Sequence, residues 1–138
     1  MNKLVFEEPI YTYHIDFVGH VNNIIYVQWL ENARVKLIEA MGLHITALSE
    51  EDAILPIITE TNIRYKKPFF LGDQVTVEVW VSEIFNVSAN FRFRFLNQNE
   101  EVCCTARQKV LFIDRETQKP SRKTAKFRES FEKYYIPE

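Results

Sequence analysis

The sequence predicts an α+β domain in which one long helix lies against a curled antiparallel sheet of about five strands. Between residues 22 and 41, apolar side chains recur every three or four positions, the period of an amphipathic helix. From residue 55 to residue 114 they alternate with polar ones, the period of half-buried strands. The length of 138 residues predicts one domain over residues 1–138, and 46% hydrophobic against 26% charged residues excludes intrinsic disorder.

The first strand is predicted at residues 10–15, where aromatic and β-branched side chains predominate. Pro9 precedes this segment, which is typical of a strand start or an edge strand. A loop follows at residues 16–23, and it contains Gly19, one of three glycines in the chain. Because the chain contains so few glycines, each one is expected to mark a position where the backbone needs a conformation that other residues rarely adopt.

The helix is expected to begin at Asn22 or Asn23 and to end near Met41. Asn22 is a favourable N-cap residue, and Gly42 stands where a glycine terminates many helices. The interior of this segment contains no Gly or Pro, which favours an uninterrupted helix. Its predicted buried face consists of Tyr26, Leu30, Ala33, Leu37 and Met41.

Four strands are predicted after the helix, joined by three hairpins into an antiparallel arrangement. The turn at residues 67–73, which contains Gly72, is expected to form the first hairpin, and Gln108 interrupts the apolar face of the last strand. A short amphipathic helix is expected at residues 124–135. Because a single helix cannot cover five long strands, we expect a sheet edge or face to bind a second copy of the chain, which predicts a homo-oligomer.

The charge of the chain limits its partners. Seventeen Lys and Arg against nineteen Asp and Glu give a net charge of −2, which argues against nucleic acid, because phosphate backbones require a basic surface. Residues 115–138 instead carry seven basic and four acidic side chains. This segment suits a small anionic ligand or is the solvated face of a helix. Its basic cluster consists of Lys119, Arg122, Lys123, Lys126 and Arg128.

The two cysteines and the apolar runs indicate the compartment. Cys103 and Cys104 are adjacent, so on a strand their side chains are expected on opposite faces, too far apart for a mutual disulfide. No apolar run approaches the ~18 residues of a membrane-spanning helix, and the N-terminal segment lacks the pattern of a signal peptide. We expect reduced thiols, a cytoplasmic location and no membrane span.

Polar residues with chemical potential concentrate between the first predicted strand and the helix: His14, Asp16, His20, Asn22 and Asn23. A helix N-terminus offers unpaired backbone N–H groups that can stabilise the oxyanion of an activated carbonyl. A carboxylate beside such amides can attack that carbonyl or activate water against it. Asp16 therefore predicts acyl transfer or hydrolysis, unless it is an ordinary turn or capping residue.

Other patterns in this region admit several interpretations. His14, Asp16 and His20 have ligand types that a divalent metal accepts, but their spacing spans a strand and a loop, which disfavours a preformed site, and we expect no metal and no cofactor. A Ser-His-Asp triad has no G-x-S-x-G motif to support it. Glu31 and Arg34 are spaced for an ion pair within the helix, or Glu31 supplies a second carboxylate to an acyl pocket. His44 is expected at the surface.

Two stretches carry a family resemblance. The pattern D-F-V-G-H-V-N-N-x-x-Y-x-x-W-x-E-x-A-R at residues 16–34 closely resembles the hotdog-fold acyl-CoA thioesterases, specifically the 4-hydroxybenzoyl-CoA thioesterase family with its Tol–Pal-associated members. The pattern R-Y-x-x-P-x-x-x-G-D at residues 64–73 is similar to a strand-turn-strand signature of that family. The resemblance covers roughly residues 5–120, and it implies a hotdog fold, a helix wrapped by an antiparallel sheet, which forms dimers and often tetramers.

The resemblance also implies roles for the residues of the first stretch. Asp16 matches the catalytic carboxylate, as nucleophile or as base for water, within a loop that includes Gly19 and His20. The backbone N–H at or beside Asn23 polarises the thioester carbonyl, although the Tol–Pal branch has His at that position. His14 stands where many relatives have Asp, and it either orients Asp16 or faces solvent. The acyl group is expected beside Tyr26 and Trp29.

The thioester carrier is the part of the substrate that the sequence defines least. In the family, basic residues bind the nucleotide phosphates of coenzyme A at a dimer interface, and charge and position suggest Lys66, Lys67, Arg122 and Lys123 for this role. The expected activity is hydrolysis of an acyl-CoA to free acid and CoA. An acyl-carrier-protein thioesterase and a hotdog protein that binds acyl thioesters without catalysis are the alternatives.

Overall fold

The computed structural model describes residues 3–44, 46, 50 and 53–138, except for the side chains of residues 123, 124 and 126. One five-stranded sheet and one long helix dominate the fold, as the α+β prediction requires. The strands are β1 (Leu4–Glu8), β2 (Ile54–Tyr65), β3 (Val75–Ile84), β4 (Ser88–Leu96) and β5 (Val102–Asp114). All strand pairs are antiparallel, and the strand order is β1-β3-β4-β5-β2. The helical elements are a 3-10 turn (Thr12–His14), α1 (Asn23–Ala40), a second 3-10 segment (Arg122–Phe127) and α2 (Arg128–Glu132).

Helix α1 forms where its period and caps predict it. The side chain of Asn22 accepts a hydrogen bond from the Ile24 N–H at 3.0 Å, which makes it the N-cap. At the other end, Gly42 has φ +87° and donates to Glu39 C=O, while Leu43 N–H donates to Ile38 C=O, the paired bonds of a Schellman motif. The five residues of the predicted apolar face are all buried: Tyr26, Leu30, Ala33, Leu37 and Met41.

The core lies between α1 and the inner face of the sheet. The helix packs mainly on β1, β3 and β4. Alternate residues of β3 and β4 point into this core and are buried, while their neighbours point outward, so the period-two pattern predicts the inner face correctly. The buried set includes Val75, Val77, Val79, Val81, Phe91, Phe93 and Phe95.

The predicted first strand is misplaced. Residues 10–15 contain the 3-10 turn Thr12–His14, and the strand that pairs with β3 is Leu4–Glu8. The His14 side chain closes the turn, because its Nδ1 accepts a hydrogen bond from Tyr11 N–H at 3.0 Å. Pro9 therefore follows the strand and does not begin it. Residues 10–15 are richer in aromatic and β-branched side chains than the true strand LVFEE, so composition alone favours the wrong segment.

The first predicted hairpin is also wrong. Strand β2 does not pair with β3; it pairs with β5 at the far edge of the sheet, so only β3, β4 and β5 form consecutive hairpins. Residues 66–74, which we call the crossover loop, carry the chain across one end of the sheet and bury Phe69 completely. Consecutive strands pair in most proteins, and the turn-like sequence around Gly72 suits a loop of either kind.

Bulges change which side chains share a face. The register of β2 shifts between Ile58 and Glu60, so Ile57 does not share the inward face of Thr61 and the residues after it. In β5, Cys103 is an extra residue opposite β4, and both Cys103 and Cys104 are buried, contrary to the opposite exposure expected of strand neighbours. Both thiols are free.

The C-terminal helix is shorter than predicted. The 3-10 segment Arg122–Phe127 precedes α2, which ends at Glu132. Beyond it the chain extends, and Val81 of β3 both donates to Tyr134 C=O and accepts from Ile136 N–H, each at 2.8 Å. Phe131 of α2 is buried, and its ring stacks on Phe112. These contacts explain why an extended segment replaces the last turns of the expected helix.

The polar interruption in β5 has a structural reason. Gln108 is buried, and its Oε1 accepts a hydrogen bond from Arg34 Nη1 at 2.9 Å. Arg34 also forms the ion pair with Glu31 that the helix spacing predicts, and Gln108 Nε2 donates to Thr61 Oγ1 at 3.3 Å. This network joins α1 to β5 and β2, and it gives the buried guanidinium the acceptors that it requires.

Replacing Gln108 with Leu should destabilise the fold by about 2 kcal/mol, because Arg34 Nη1 loses its acceptor in the protein interior. Lys109→Leu, a neighbouring change on the exposed face of β5, should cost no more than about 0.5 kcal/mol. Urea denaturation of both variants measures the difference. Equal stability of the two would show that the Arg34–Gln108 bond contributes nothing.

Candidate active site

The segment before α1 forms a compact turn, which we call the site loop (residues 16–20). Asp16 N–H donates to His20 C=O at 2.9 Å, and Gly19 N–H donates back to Asp16 C=O at 3.0 Å. Ile15 and Val21 form an antiparallel bridge that closes the base of the loop. Gly19 has φ +86°, the left-handed conformation that favours glycine, so this glycine is required by the turn.

The Asp16 carboxylate has two distinct oxygens. Its Oδ1 accepts hydrogen bonds from Val18 N–H at 3.1 Å and from His20 N–H at 3.4 Å. Within the described part of the chain, its Oδ2 accepts no hydrogen bond. Asp16 therefore has the turn role that the sequence left as an alternative, and this role occupies one oxygen and leaves the other available.

The start of α1 leaves one backbone amide without an acceptor. An α-helix begins with four N–H groups that have no partner in the helix. Three are satisfied here, because Asn22 N–H donates to His14 C=O at 2.8 Å, Ile24 N–H to Asn22 Oδ1, and Ile25 N–H to Asn22 C=O at 2.9 Å. Among the described residues, the Asn23 N–H has no acceptor. The amide that the sequence singles out is thus the one that remains available.

Asp16 and Asn23 line the same pocket, which has a volume of about 340 Å³ and opens to solvent. Residues from three parts of the chain form its wall: the site loop, the first turn of α1, and the end of β2 with the crossover loop. The lining residues are Asp16, Val18, His20, Val21, Asn23, Tyr26, Tyr65, Lys66, Lys67 and Pro68.

The crossover loop holds the site loop in position. Phe69 is fully buried against Tyr26 and Trp29, and its C=O accepts a hydrogen bond from Val21 N–H at 2.9 Å. Asp73 stabilises the loop itself, because its Oδ2 accepts from Phe70 N–H at 2.8 Å. The second sequence motif, at residues 64–73, thereby shapes the pocket through the backbone.

Comparison with known proteins assigns the family. Residues 11–133 match the model of the thioesterase-like superfamily. The chain belongs to this superfamily.

Individual relatives agree with that assignment. Over 116 residues the chain is 26% identical to a Bacillus subtilis protein named "Putative acyl-CoA thioesterase YneP", which covers 84% of this chain and 80% of that one. A DHNA-CoA thioesterase structure from Staphylococcus aureus superposes with a TM-score of 0.85 at 25% identity, covering 97% of this chain and 89% of that one. The S. aureus protein SAV2348, solved in complex with CoA, superposes with a TM-score of 0.89 at 15% identity, covering 96% of this chain and 83% of that one. The chain has the hotdog-like thioesterase fold, and it is a thioester hydrolase.

The two aromatic residues expected in this thioesterase's acyl pocket have different positions. Tyr26 lines the pocket, and burial raises the pKa of its phenol well above the usual range, so the hydroxyl stays protonated at neutral pH. Trp29 is 2% exposed and packs edge-on against Phe69, Phe95 and His14. Trp29 is thus a core residue behind the pocket wall, which it supports through Tyr26.

The histidines of the site also differ. His14 is buried beneath the site, where its ring caps Tyr11 N–H and contacts Trp29, so it takes neither of the two expected positions. Its C=O instead accepts from Asn22 N–H and fixes the start of α1. His20 lines the pocket and stacks edge-on against Phe70 at 5.1 Å. His44, as expected, lies outside the core, with an exposed side chain.

The four basic candidates fall into two groups. Lys66 and Lys67 line the pocket, and Lys67 forms an ion pair with Glu101, which raises the pKa of the lysine. Arg122 follows the far end of β5 and is not among the residues that line this pocket. The side chain of Lys123 lies outside the described residues.

Sequence reasoning missed four residues of the pocket wall: Val18, Val21, Tyr65 and Pro68. Tyr65 and Pro68 belong to the second motif, whose spacing suggested a turn but not a site. Cys104 pairs with Tyr65 across the sheet, and burial raises the pKa of its thiol to about 12. The thiol is therefore un-ionised at neutral pH, and in this form a cysteine is a poor nucleophile.

No helix in the described ranges, residues 3–44 and 53–138, has the length and apolar content needed to cross a membrane. In the same ranges, His, Cys, Asp and Glu side chains do not gather in groups of three or more that could hold a metal ion. His14 is turned into the core, so the His14–Asp16–His20 set does not converge as a metal site would require.

The turn role of Asp16 predicts unequal effects of two substitutions on stability. Asp16→Ala removes the acceptor of two backbone N–H groups and should destabilise the protein by about 1 kcal/mol. Asp16→Asn retains an Oδ1 acceptor and should remain within about 0.5 kcal/mol of the parent. Thermal unfolding of both variants measures the difference, and equal melting temperatures would contradict the turn role.

Proposed function

We propose that this thioesterase hydrolyses an acyl-CoA to the free acid and CoA, with Asp16 and the Asn23 backbone amide as its reactive groups. The observation that carries the proposal is that Asp16 and Asn23 line one pocket, and that Asp16 Oδ2 and the Asn23 N–H have no hydrogen-bond partner in the described chain. The relative YneP, which is named as an acyl-CoA thioesterase, and the CoA bound to SAV2348 support an acyl-CoA as the substrate.

The carbonyl oxygen of the thioester accepts a hydrogen bond from Asn23 N–H at the positive end of the α1 dipole. This position stabilises the negative charge that develops on the oxygen in the transition state. A single hydrogen-bond donor at such a position contributes ~10²–10³ in rate.

Asp16 then acts through its free oxygen by one of two routes. As a nucleophile, Oδ2 bonds to the carbonyl carbon, the thiolate of CoA leaves and takes up a proton, and water hydrolyses the resulting anhydride. As a base, the carboxylate takes a proton from a water that attacks the carbonyl carbon directly. Both routes convert one thioester and one water to an acid and a thiol.

The acyl group lies along the aromatic side of the pocket, beside Tyr26 and Tyr65. Lys66 and Lys67 lie at the other side, where the carrier leaves the pocket. An acyl-carrier-protein substrate differs only beyond the thioester, so it remains the second candidate.

We also propose that the active form is a homo-oligomer, a dimer or tetramer. In the described chain, β2 has a neighbour on one side only, and Ile57 on this long edge strand is exposed. Around the pocket, Phe17 is fully exposed, and Ile24 and Val27 of α1 are 64% and 49% exposed. So much exposed apolar surface beside an unpaired edge is typical of an interface.

Asp16→Asn should reduce kcat/KM by ~10² to 10⁴, because it removes the reactive carboxylate while it keeps the turn. The measurement is release of free thiol from short, medium, long and aryl acyl-CoAs. Turnover equal to that of the parent on any of these substrates would refute the role of Asp16. Stoichiometric acyl-CoA binding by the parent protein without turnover on the whole panel would favour a binding protein.

Asn23→Pro tests the backbone amide directly. Proline is well tolerated at the first position of a helix, and Asn22 already has the extended conformation (φ −63°, ψ 141°) that a following proline requires. The substitution deletes the N–H together with the Asn23 side chain, and it should lower kcat by ~10²–10³. Asn23→Ala keeps the N–H and should retain activity within a few-fold. Similar activities of the two variants would contradict the proposed oxyanion site.

Ile57→Lys should dissociate the oligomer, since it places a charge on the exposed edge of β2. Val5→Lys is the matched control, because Val5 is 54% exposed on β1, the opposite edge of the sheet. Sedimentation at micromolar concentration gives the masses. A monomeric parent protein would contradict the proposed assembly.

A further inference from the structure

The connection between β4 and β5, residues 97–101, which we call the distal turn, lies outside the residues that line the candidate active site. Hydrogen bonds within the turn fix its shape. Asn97 Oδ1 accepts from Asn99 N–H at 2.9 Å and from Glu101 N–H at 3.1 Å, and Asn97 N–H donates to Glu101 C=O at 3.1 Å. The turn is therefore an ordered support for whatever it contacts.

Gln98 joins the distal turn to the end of the crossover loop. Its Nε2 donates to Asp73 Oδ1 at 3.0 Å, and its Oε1 accepts from Gln74 N–H at 3.1 Å. The donor and the acceptor of this one amide are thus both bound to residues 24 and 25 positions away in the chain. A side chain held at both of its polar atoms restricts the segment that it binds.

The contacts continue from Asp73 to the site loop. Asp73 Oδ2 accepts from Phe70 N–H at 2.8 Å, and Asp73 N–H donates to Phe70 C=O at 3.1 Å. The preceding residue, Phe69, accepts Val21 N–H at its C=O, and Val21 belongs to the bridge that closes the loop of Asp16. An unbroken series of hydrogen-bonded and adjacent residues therefore links the distal turn to the reactive carboxylate.

The beginning of the crossover loop is held at the same end of the sheet. Lys66 N–H and Lys67 N–H both donate to Cys103 C=O, at 2.8 and 3.0 Å. The Lys67 side chain forms an ion pair with Glu101 of the distal turn, and Glu101 Oε1 in turn accepts from Asn97 Nδ2 at 3.0 Å. The crossover loop is thus held at both ends, while its middle carries the buried Phe69.

This support matters for catalysis because hydrolysis depends on the exact distance between the carboxylate and the carbonyl carbon. A misplacement of about 1 Å caused by a distant substitution can lower a rate by ~10². A loop anchored only by the Phe69 ring can tilt about that ring, and the backbone bond to Val21 then moves with it. Contacts at both ends of the crossover loop prevent such a tilt.

We propose that Gln98 is a positioning residue of the hydrolytic site, which acts on the site loop through Asp73 and the crossover loop. The predicted effect on rate rests on the proposed acyl-CoA hydrolysis, whereas the effect on the loop does not depend on any substrate. Gln98 does not line the pocket, so its loss should change kcat and leave KM nearly unchanged.

Kinetics of Gln98→Ala at a temperature well below the melting temperatures of variant and parent give the first test. The variant should lower kcat for acyl-CoA about five- to tenfold and change KM less than about twofold. Glu100→Ala is the matched control, because Glu100 is an exposed residue of the same turn and, among the described contacts, its side chain does not bind the crossover loop. The control should retain kcat within about twofold.

Hydrogen exchange of individual amides, followed by NMR without substrate, gives the second test. The Val21 N–H should exchange about threefold or more faster in Gln98→Ala than in the parent, while the amides of the central strand β4 keep their rates. If the effect passes through Asp73, then Gln98→Ala should lower kcat by no more than about twofold further in an Asp73→Ala background.

Three results would overturn the proposal: equal kcat values of Gln98→Ala and the parent, an equal acceleration of exchange at Val21 and throughout β4, and a full additional loss of kcat in the Asp73→Ala background. The second result would show a general loss of stability in place of a local one. If the parent protein hydrolyses no acyl-CoA, the proposed function fails, and the exchange rate of Val21 N–H alone decides whether Gln98 positions the site loop.

Discussion

The N-terminus of α1 has four amides to satisfy, and the site depends on how the chain satisfies three of them. Asn22 provides two acceptors, one from its side chain and one from its backbone, and His14 C=O accepts the N–H of Asn22 itself. The bond to His14 C=O requires the 3-10 turn to be in place. Among the described residues the Asn23 N–H has no acceptor, which is the geometric reason to propose it as the oxyanion donor.

Asp16 is likewise held in position by backbone hydrogen bonds. A carboxylate in a mobile loop would spend little time beside the amide, whereas here Val18 and His20 N–H groups hold Oδ1 and fix the direction of Oδ2. The crossover loop restrains the other side through the Val21–Phe69 backbone bond. Both restraints arise from backbone groups, so the precise position of the reactive oxygen depends on loop geometry, and side chains at positions 17 and 18 can vary without loss of the turn.

The parts of the molecule that follow from short-range rules were predictable from sequence. The caps and period of α1, and the alternation in β3 and β4, depend on residues within a few positions of one another. The prediction for residues 10–15 was wrong because the His14 side chain closes a turn within a strand-like segment, and the prediction for the 66–74 loop was wrong because β2 pairs with the distant strand β5, not with β3. The sequence grouped Asp16 and Asn23 because they lie near each other in the chain, whereas Tyr65 and Pro68 reach the pocket only through the fold.

Gln108 shows how a departure from pattern can carry structural information. In a strand whose inward residues are otherwise apolar, it is explained by the buried Arg34 guanidinium on the facing helix. Arg92 and Arg107, on the outer face of the sheet, both fit the pattern of an alternating strand, so the sequence does not single them out. Only the register shows that the two residues oppose each other. The first departure is compensated within the chain, because acceptor and donor are both present. The opposed arginines are compensated by Glu138, which pairs with Arg92, and by Glu60, which lies 3.9 Å from Arg107.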